Sequence, residues 1–192
     1  MSGLAPTLVA VALWLAGPAT STTPVPPADP LINAFMVSIN RDPPETAPTP
    51  KDRARAVCRR TLAENLDFDA LVARARIPAL VGMTDDQRRA FRSAAERWLV
   101  SKCVERSHDH ERLDFVGLRP GEDGDRLLAT RSSQTRHMIV WRLRGTGPLT
   151  AADLIVDGSS TAQRLRDEVE ILLRSSDDDV NAMIALLGRK AR

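Results

Sequence analysis

The clearest fold signal in the sequence is the stretch DLIVDGSSTAQ at residues 153–163. Its first residues have the apolar character of a strand, Gly158 marks a turn, and the remainder has the composition of a helix start. The Ser160 hydroxyl is placed to accept the Gln163 amide proton while the Gln163 side chain returns to the Ser160 N–H, which defines a capping box. A second such box, Thr84-Asp85-Asp86-Gln87, begins an apolar-striped run far upstream. The two boxes predict helices on either side of a sheet.

The segment between the boxes predicts strands, and the segments outside it predict helices. Alternating apolar residues predict four strands, at residues 112–118, 126–131, 136–144 and a last one that ends at Val156. Apolar residues at helical spacing predict helices at residues 51–66, 67–76, 84–107, from Ser160 onward, and 178–187. The expected fold class is α+β, with helices packed on a four-stranded antiparallel sheet.

The first fifty residues differ in composition from the rest of the chain. Residues 1–21 combine a short apolar run with small residues at a plausible cleavage site and predict a signal peptide. No Lys or Arg precedes Arg41, and a membrane-tethered N-terminus gives the same pattern. Residues 22–50 predict a Pro-rich linker with a short helix at 30–41, which either docks on the body or is a mobile arm. Residues 51–192 are predicted to form a single domain.

Charge balance and motif content favour binding over catalysis. The formal net charge of +2 is too small to argue for a nucleic-acid partner. The sequence contains no nucleophile elbow and no Gly-rich phosphate loop. We therefore expect a protein that is not an enzyme, needs no cofactor and does not bind nucleic acid.

The two cysteines, Cys58 and Cys103, lie on apolar faces of neighbouring predicted helices. In an exported protein they can form a disulfide that closes a loop of 45 residues. The alternative is two buried thiols that act as small hydrophobic side chains. The sequence alone leaves both open.

The histidines predict no metal site. In His108-Asp109-His110-Glu111, the histidines are two positions apart, so on a helix they face different directions, and the segment is predicted to be a solvated helix end. In the third predicted strand, His137 shares one face with Ile139 and Trp141. We expect it to be a hydrogen-bonded core residue, with a position at the mouth of a pocket as the alternative.

Two tryptophans lie on inward-facing positions of different elements. Trp98 belongs to the apolar stripe of the long helix, and Trp141 lies on the inner face of the third predicted strand. They either fill the core or line a cavity between helices and sheet that accepts an apolar ligand.

Three segments resemble the MlaC-type toluene-tolerance proteins, a family of periplasmic lipid-binding components that serve a phospholipid ABC transporter. The first is Leu66-Asp67-Phe68-Asp69 followed by Thr84-Asp85-Asp86-Gln87-Arg88-Arg89-Ala90-Phe91. The second pairs Leu128-Ala129-Thr130-Arg131 with Trp141-Arg142-Leu143. The third is Asp153–Ser160 with Arg166 after it. The resemblance spans residues 51–187.

Residues and resemblance together predict an exported periplasmic lipid carrier with acyl chains held in an apolar cavity between the sheet and the helices. The implied partners are phospholipid and membrane-bound ABC transporter components, and we expect a monomer. Arg142 and Arg144 either attract a headgroup or are solvated strand-edge residues. The expected lipid-binding residues are Phe68, Leu71, Phe91, Trp98, Ile139, Trp141, Leu143, Leu154 and Val156.

Three alternatives stay open at this point. The first is an envelope adaptor with a closed core that acts through the Pro-rich arm or a basic helix face. The second is a carrier of a hopanoid-type lipid in place of a phospholipid. The third is an enzyme that uses His137 in a pocket.

Overall fold

Helices and an antiparallel sheet make up the described part of the chain, so the predicted α+β class is confirmed. The structure is a computed structural model that describes residues 29–42, 49–106 and 112–191. The predicted signal segment at 1–21 and the histidine cluster at 108–111 lie outside the described residues. In the described ranges, the helices are too short or too polar to cross a membrane.

The helices begin where capping residues predict. Thr49 and Asp67 accept backbone N–H groups at the starts of α2 and α3, and Asp179 does so at the start of α6. Proline occupies the first position of α1 and α2, where no intrahelical donor is needed. The helix bounds are α1 Pro30–Ile39, α2 Pro50–Asn65, α3 Phe68–Ala75, α4 Asp85–Val104, α5 Thr161–Arg174 and α6 Val180–Arg189.

The strands form an antiparallel meander in chain order. The four predicted strands are present, and the turn at Gly158 leads into a fifth, two-residue strand that the sequence did not predict. This short strand and Leu66, which pairs with Ala151, cover the outer edge of β4. The strand bounds are β1 Leu113–Pro120, β2 Arg126–Ser132, β3 Met138–Arg144, β4 Thr150–Val156 and β5 Ser159–Ser160.

One capping box is complete and the other is half formed. Thr84 accepts the Gln87 amide proton at 3.3 Å, and the Gln87 side chain accepts the Thr84 N–H at 3.0 Å, as predicted. Ser160 accepts the Gln163 amide proton at 3.2 Å, but the Gln163 side chain donates to Asp167 instead. The prediction of a return bond to Ser160 is therefore wrong. Ser160 is the N-cap of α5, and its backbone also pairs with Ile155 in β5.

Two apolar clusters hold the fold together. The helical cluster joins side chains of α3, α4, α5 and α6, and Trp98 belongs to it. The sheet cluster joins one face of the sheet, including Trp141, to Ile32, Phe35 and Ile39 of α1. Of the two alternatives for the segment at 30–41, the structure therefore shows docking. The packed body therefore includes α1 together with the sheet and the helices α2 to α6.

Candidate functional site

A groove with a volume of about 480 Å³ lies between α2 and α4. Helix α2 ends where α3 begins, and Phe68, the first residue of α3, lines the groove as well. Cys58 meets Cys103 while Phe68 meets Arg92, so the two helices run antiparallel along it. The volume falls within the range of small-molecule sites, roughly 300–1,000 Å³.

The floor of the groove is apolar. Leu62 of α2 and Leu66, the residue that directly follows α2, line one side of the groove, and Leu99 and Val100 of α4 line the other. Leu62 and Leu66 also pack against both the helical cluster and the sheet cluster. The groove therefore opens above the seam between the two clusters.

Four arginines line the groove above this floor: Arg55, Arg59, Arg92 and Arg97. Glu96 is the acidic residue among the described lining residues. The groove therefore carries a positive charge that the small net charge of the chain does not reveal.

The four arginines differ in whether a carboxylate forms an ion pair with them. Arg92 forms ion pairs with Asp69 at 2.6 Å and Glu96 at 3.0 Å, and its guanidinium lies 4.8 Å from the centre of the Phe68 ring. Arg97 donates to the Ser93 hydroxyl at 2.6 Å. Within the described ranges, no carboxylate pairs with Arg55 or Arg59. Among the described residues, the groove arginines without a carboxylate partner are therefore Arg55, Arg59 and Arg97, and two of these, Arg55 and Arg59, lie at the Cys58–Cys103 end.

A disulfide joins the two walls at this same end. Cys58 of α2 and Cys103 of α4 have Cα atoms 5.9 Å apart. Because Cys58 lies between Arg55 and Arg59 in α2, the cross-link fixes the helix separation beside the two unpaired arginines. The opposite end, at Phe68, carries no such link.

Among the nine lipid-binding residues predicted from the sequence, Phe68 lines this groove. Leu71, Phe91 and Trp98 lie in the helical cluster. The others lie on the sheet: Trp141, Leu143 and Leu154 buried in the sheet cluster, Ile139 packed against it, and Val156 half-buried and paired with Ile139 in the ladder. Ligand contact by these eight residues stays a prediction.

The two tryptophans belong to different apolar clusters, Trp98 to the helical cluster and Trp141 to the sheet cluster. The Trp141 ring lies edge-on to Phe35 with centroids 5.3 Å apart, and its indole N–H donates to the Thr130 hydroxyl at 3.0 Å. Trp98 is 3% exposed, and no described residue forms a hydrogen bond with its indole nitrogen. Docking of α1 supplies the partner for Trp141 on the sheet face.

Arg142 and Arg144 are bound within the fold. Both contact Asp125, whose side chain is 1% exposed, at 3.4 Å and 2.8 Å respectively. The hydrogen bond that Arg144 donates to the Asp125 carboxylate raises the pKa of Arg144 above its ordinary value. The prediction of a solvated strand edge is therefore wrong for Arg142, which is buried.

His137 lies at the surface. Its side chain is 46% exposed, and Nδ1 lies 2.8 Å from an Asp157 carboxylate oxygen. The expectation of a core histidine is wrong because β3 begins one residue later, at Met138, so His137 stands outside the sheet face. It does not line the α2–α4 groove.

Sequence reasoning missed the arginines of the groove. Arg55, Arg59 and Leu62 follow one another at offsets of four and three residues, which places them on one stripe of α2, and Leu66 continues that stripe directly after the helix ends. That stripe, half cationic and half apolar, is the sequence signal that points to them.

Comparisons with known proteins agree with this fold. A family model described as MlaC protein matches residues 31–189. Among solved structures, the chain is similar to a phospholipid-binding protein from Ralstonia solanacearum in complex with a phospholipid, with a TM-score of 0.64 and 11% sequence identity. The alignment covers 84% of this chain and 92% of that one. A search of curated proteins found no match. At this identity, the structural likeness shows the fold alone.

Proposed function

The chain belongs to the MlaC family, and on that premise we propose that it is a non-enzymatic carrier that holds phospholipid acyl chains in the α2–α4 groove. The observation that carries the proposal is an apolar floor beneath an arginine rim, the arrangement that an amphiphile with a polar head requires. The solved protein of similar fold in complex with a phospholipid supports the same ligand class.

The energetics of such a site favour carriage and oppose spontaneous release. Each methylene group removed from water contributes about 0.8 kcal/mol, so a long acyl chain gains several kcal/mol even after ordering costs. Release into water is correspondingly slow. The lipid leaves when its chains pass directly to another apolar surface. We propose that membrane-bound ABC transporter components supply that surface.

We propose that the carrier works as a monomer in the periplasm after export. The apolar run within residues 1–21 has the character of a signal peptide. The Cys58–Cys103 disulfide supports an oxidising compartment, since such bonds are rare in cytosolic proteins.

The experiment is to fill the groove and measure bound lipid. Ala63 is exposed on α2 and lines the groove, so Ala63→Trp places an indole in it without disturbing a core. Ala73→Trp on the exposed face of α3 is the matched control, because Ala73 does not line the groove. Protein recovered from the cell envelope is extracted with organic solvent, and the extract is analysed by mass spectrometry.

We expect phospholipid with the wild type and with Ala73→Trp, and a loss of at least tenfold with Ala63→Trp. Lipid-free wild-type protein that also takes up nothing from vesicles would favour the adaptor. A polycyclic lipid in the extract would identify the hopanoid carrier instead. Because His137 lies outside the groove, His137→Ala is expected to leave lipid content unchanged.

A further inference from the structure

The two ends of the groove differ in charge, and this difference assigns a direction to the bound lipid. At the Phe68 end, the Arg92 charge is already matched by two carboxylates, Asp69 and Glu96. At the other end, Arg55 and Arg59 have no carboxylate partner in the part of the chain that the structure describes. A lipid headgroup therefore finds free cationic donors at one end of the groove.

The geometry of Arg55 and Arg59 suits one anionic group. They are four residues apart on α2, so their side chains leave the helix on the same face with Cβ atoms about 6 Å apart. Guanidinium groups bind phosphate oxygens through parallel charge-assisted hydrogen bonds. The disulfide at Cys58, between the two arginines, holds this part of α2 against α4.

The apolar path begins directly beyond these arginines. Leu62 lies three residues after Arg59, and Leu66 and Phe68 continue toward the far end of the groove. From Cys58 to Asn65, the last residue of α2, the helix rises about 10 Å. An acyl chain on this path lies over the floor while its headgroup stays beside Arg55 and Arg59.

We propose that the groove selects phospholipids with a net negative headgroup, with Arg55 and Arg59 as the headgroup contacts and the acyl chain directed toward Phe68. This inference rests on the proposed function and adds to it a preference within the phospholipid class. A zwitterionic lipid carries the same phosphate, but its quaternary ammonium brings a positive charge toward the two arginines. A lipid with a neutral polyol on the phosphate brings no positive charge toward the arginines and keeps its net negative charge.

The test is competition between two lipids in one membrane. Delipidated protein is incubated with vesicles of equimolar dioleoylphosphatidylglycerol and dioleoylphosphatidylcholine, re-isolated and extracted, and the bound ratio is measured by mass spectrometry. Identical acyl chains remove any difference in tail burial. A shared vesicle makes recruitment to the membrane equal for both lipids.

The wild type is expected to retain phosphatidylglycerol over phosphatidylcholine by about fivefold, the effect of roughly one unit charge near a basic cluster. In Arg55→Gln/Arg59→Gln the ratio should fall close to one while total bound lipid persists. The milder Arg59→Gln, at an exposed position, should give an intermediate ratio and covers the case in which the double variant folds poorly. Arg131→Gln, an exposed arginine of β2 outside the groove, should keep the wild-type ratio.

The outcomes separate this inference from the proposed function. Wild-type protein that binds both lipids equally would overturn the headgroup preference and leave the carrier intact. A preference that survives in both arginine variants would overturn the assignment to Arg55 and Arg59. Protein that binds neither lipid would overturn the carrier, and the preference with it.

Discussion

Cys58 of α2 and Cys103 of α4, which are 45 positions apart in the sequence, join the two helices that wall the groove. The Cys58 side chain is buried, and its neighbours Arg55 and Arg59 line the groove on either side of it. The same bond therefore stabilises the fold and sets the width of the groove at its cationic end. At the far end, Phe68 and Asp69 of α3 contact Arg92 of α4 through a ring contact and an ion pair, with no covalent link in the described residues.

Removal of the disulfide is expected to destabilise the protein. In the chain-entropy model, a loop of this length contributes on the order of 3–4 kcal/mol to the free energy of unfolding. Cys58→Ser/Cys103→Ser should lose that amount in urea denaturation followed by circular dichroism. Wild-type protein under strong reductant serves as the control and should match the double variant. Equal unfolding free energies for oxidised wild type and the variant would contradict the prediction.

Docking of α1 makes a second prediction. Phe35 is buried edge-on against Trp141, so Phe35→Ala should lower the free energy of unfolding by about 3–5 kcal/mol through lost packing and an unfilled cavity. The matched control is Val37→Ala on the same helix, because Val37 is 69% exposed. That control should change stability by no more than about 0.5 kcal/mol. If both variants unfold like the wild type, α1 is an undocked arm.

The buried ion cluster around Asp125 makes a third prediction. The Arg142 side chain is 11% exposed and contacts Asp125, so Asp125→Asn leaves a buried guanidinium without its counter-charge. Loss of one partner of a buried pair costs about 3–5 kcal/mol. Asp114→Asn, an exposed carboxylate on β1, is the control and should be close to neutral. The measurement is thermal denaturation of the wild type, Asp125→Asn and Asp114→Asn. Identical denaturation curves for all three would show that Asp125 does not stabilise buried Arg142.

Local signals in the sequence predicted the elements well. The box at Thr84 and the alternation around Trp141 depend on neighbours within four residues, which a sequence displays directly. The return bond at Ser160 was mispredicted because pairing of β5 is not encoded within that window. Element positions were therefore predictable, and their pairings less so.

The site was less predictable than the elements, because it depends on which helix and sheet faces pack against one another. Periodicity places Trp98 and Trp141 inward, but it does not say that they belong to different clusters. The segment at 30–41 is flanked by Pro-rich sequence, so nothing local indicates that Phe35 covers Trp141. The role of Arg55 and Arg59 likewise depends on the packing of α4 opposite α2, which the local sequence of α2 does not indicate.

The most direct test of the central claim is to locate a bound acyl chain. Protein is loaded with a phospholipid that carries a photoreactive diazirine in its acyl chain, irradiated, digested and mapped by mass spectrometry. The account predicts cross-links on the groove floor, at Leu62, Leu66, Leu99 and Val100. Cross-links concentrated on Trp141, Leu143 and Leu154 of the sheet cluster, with none on α2 or α4, would contradict it.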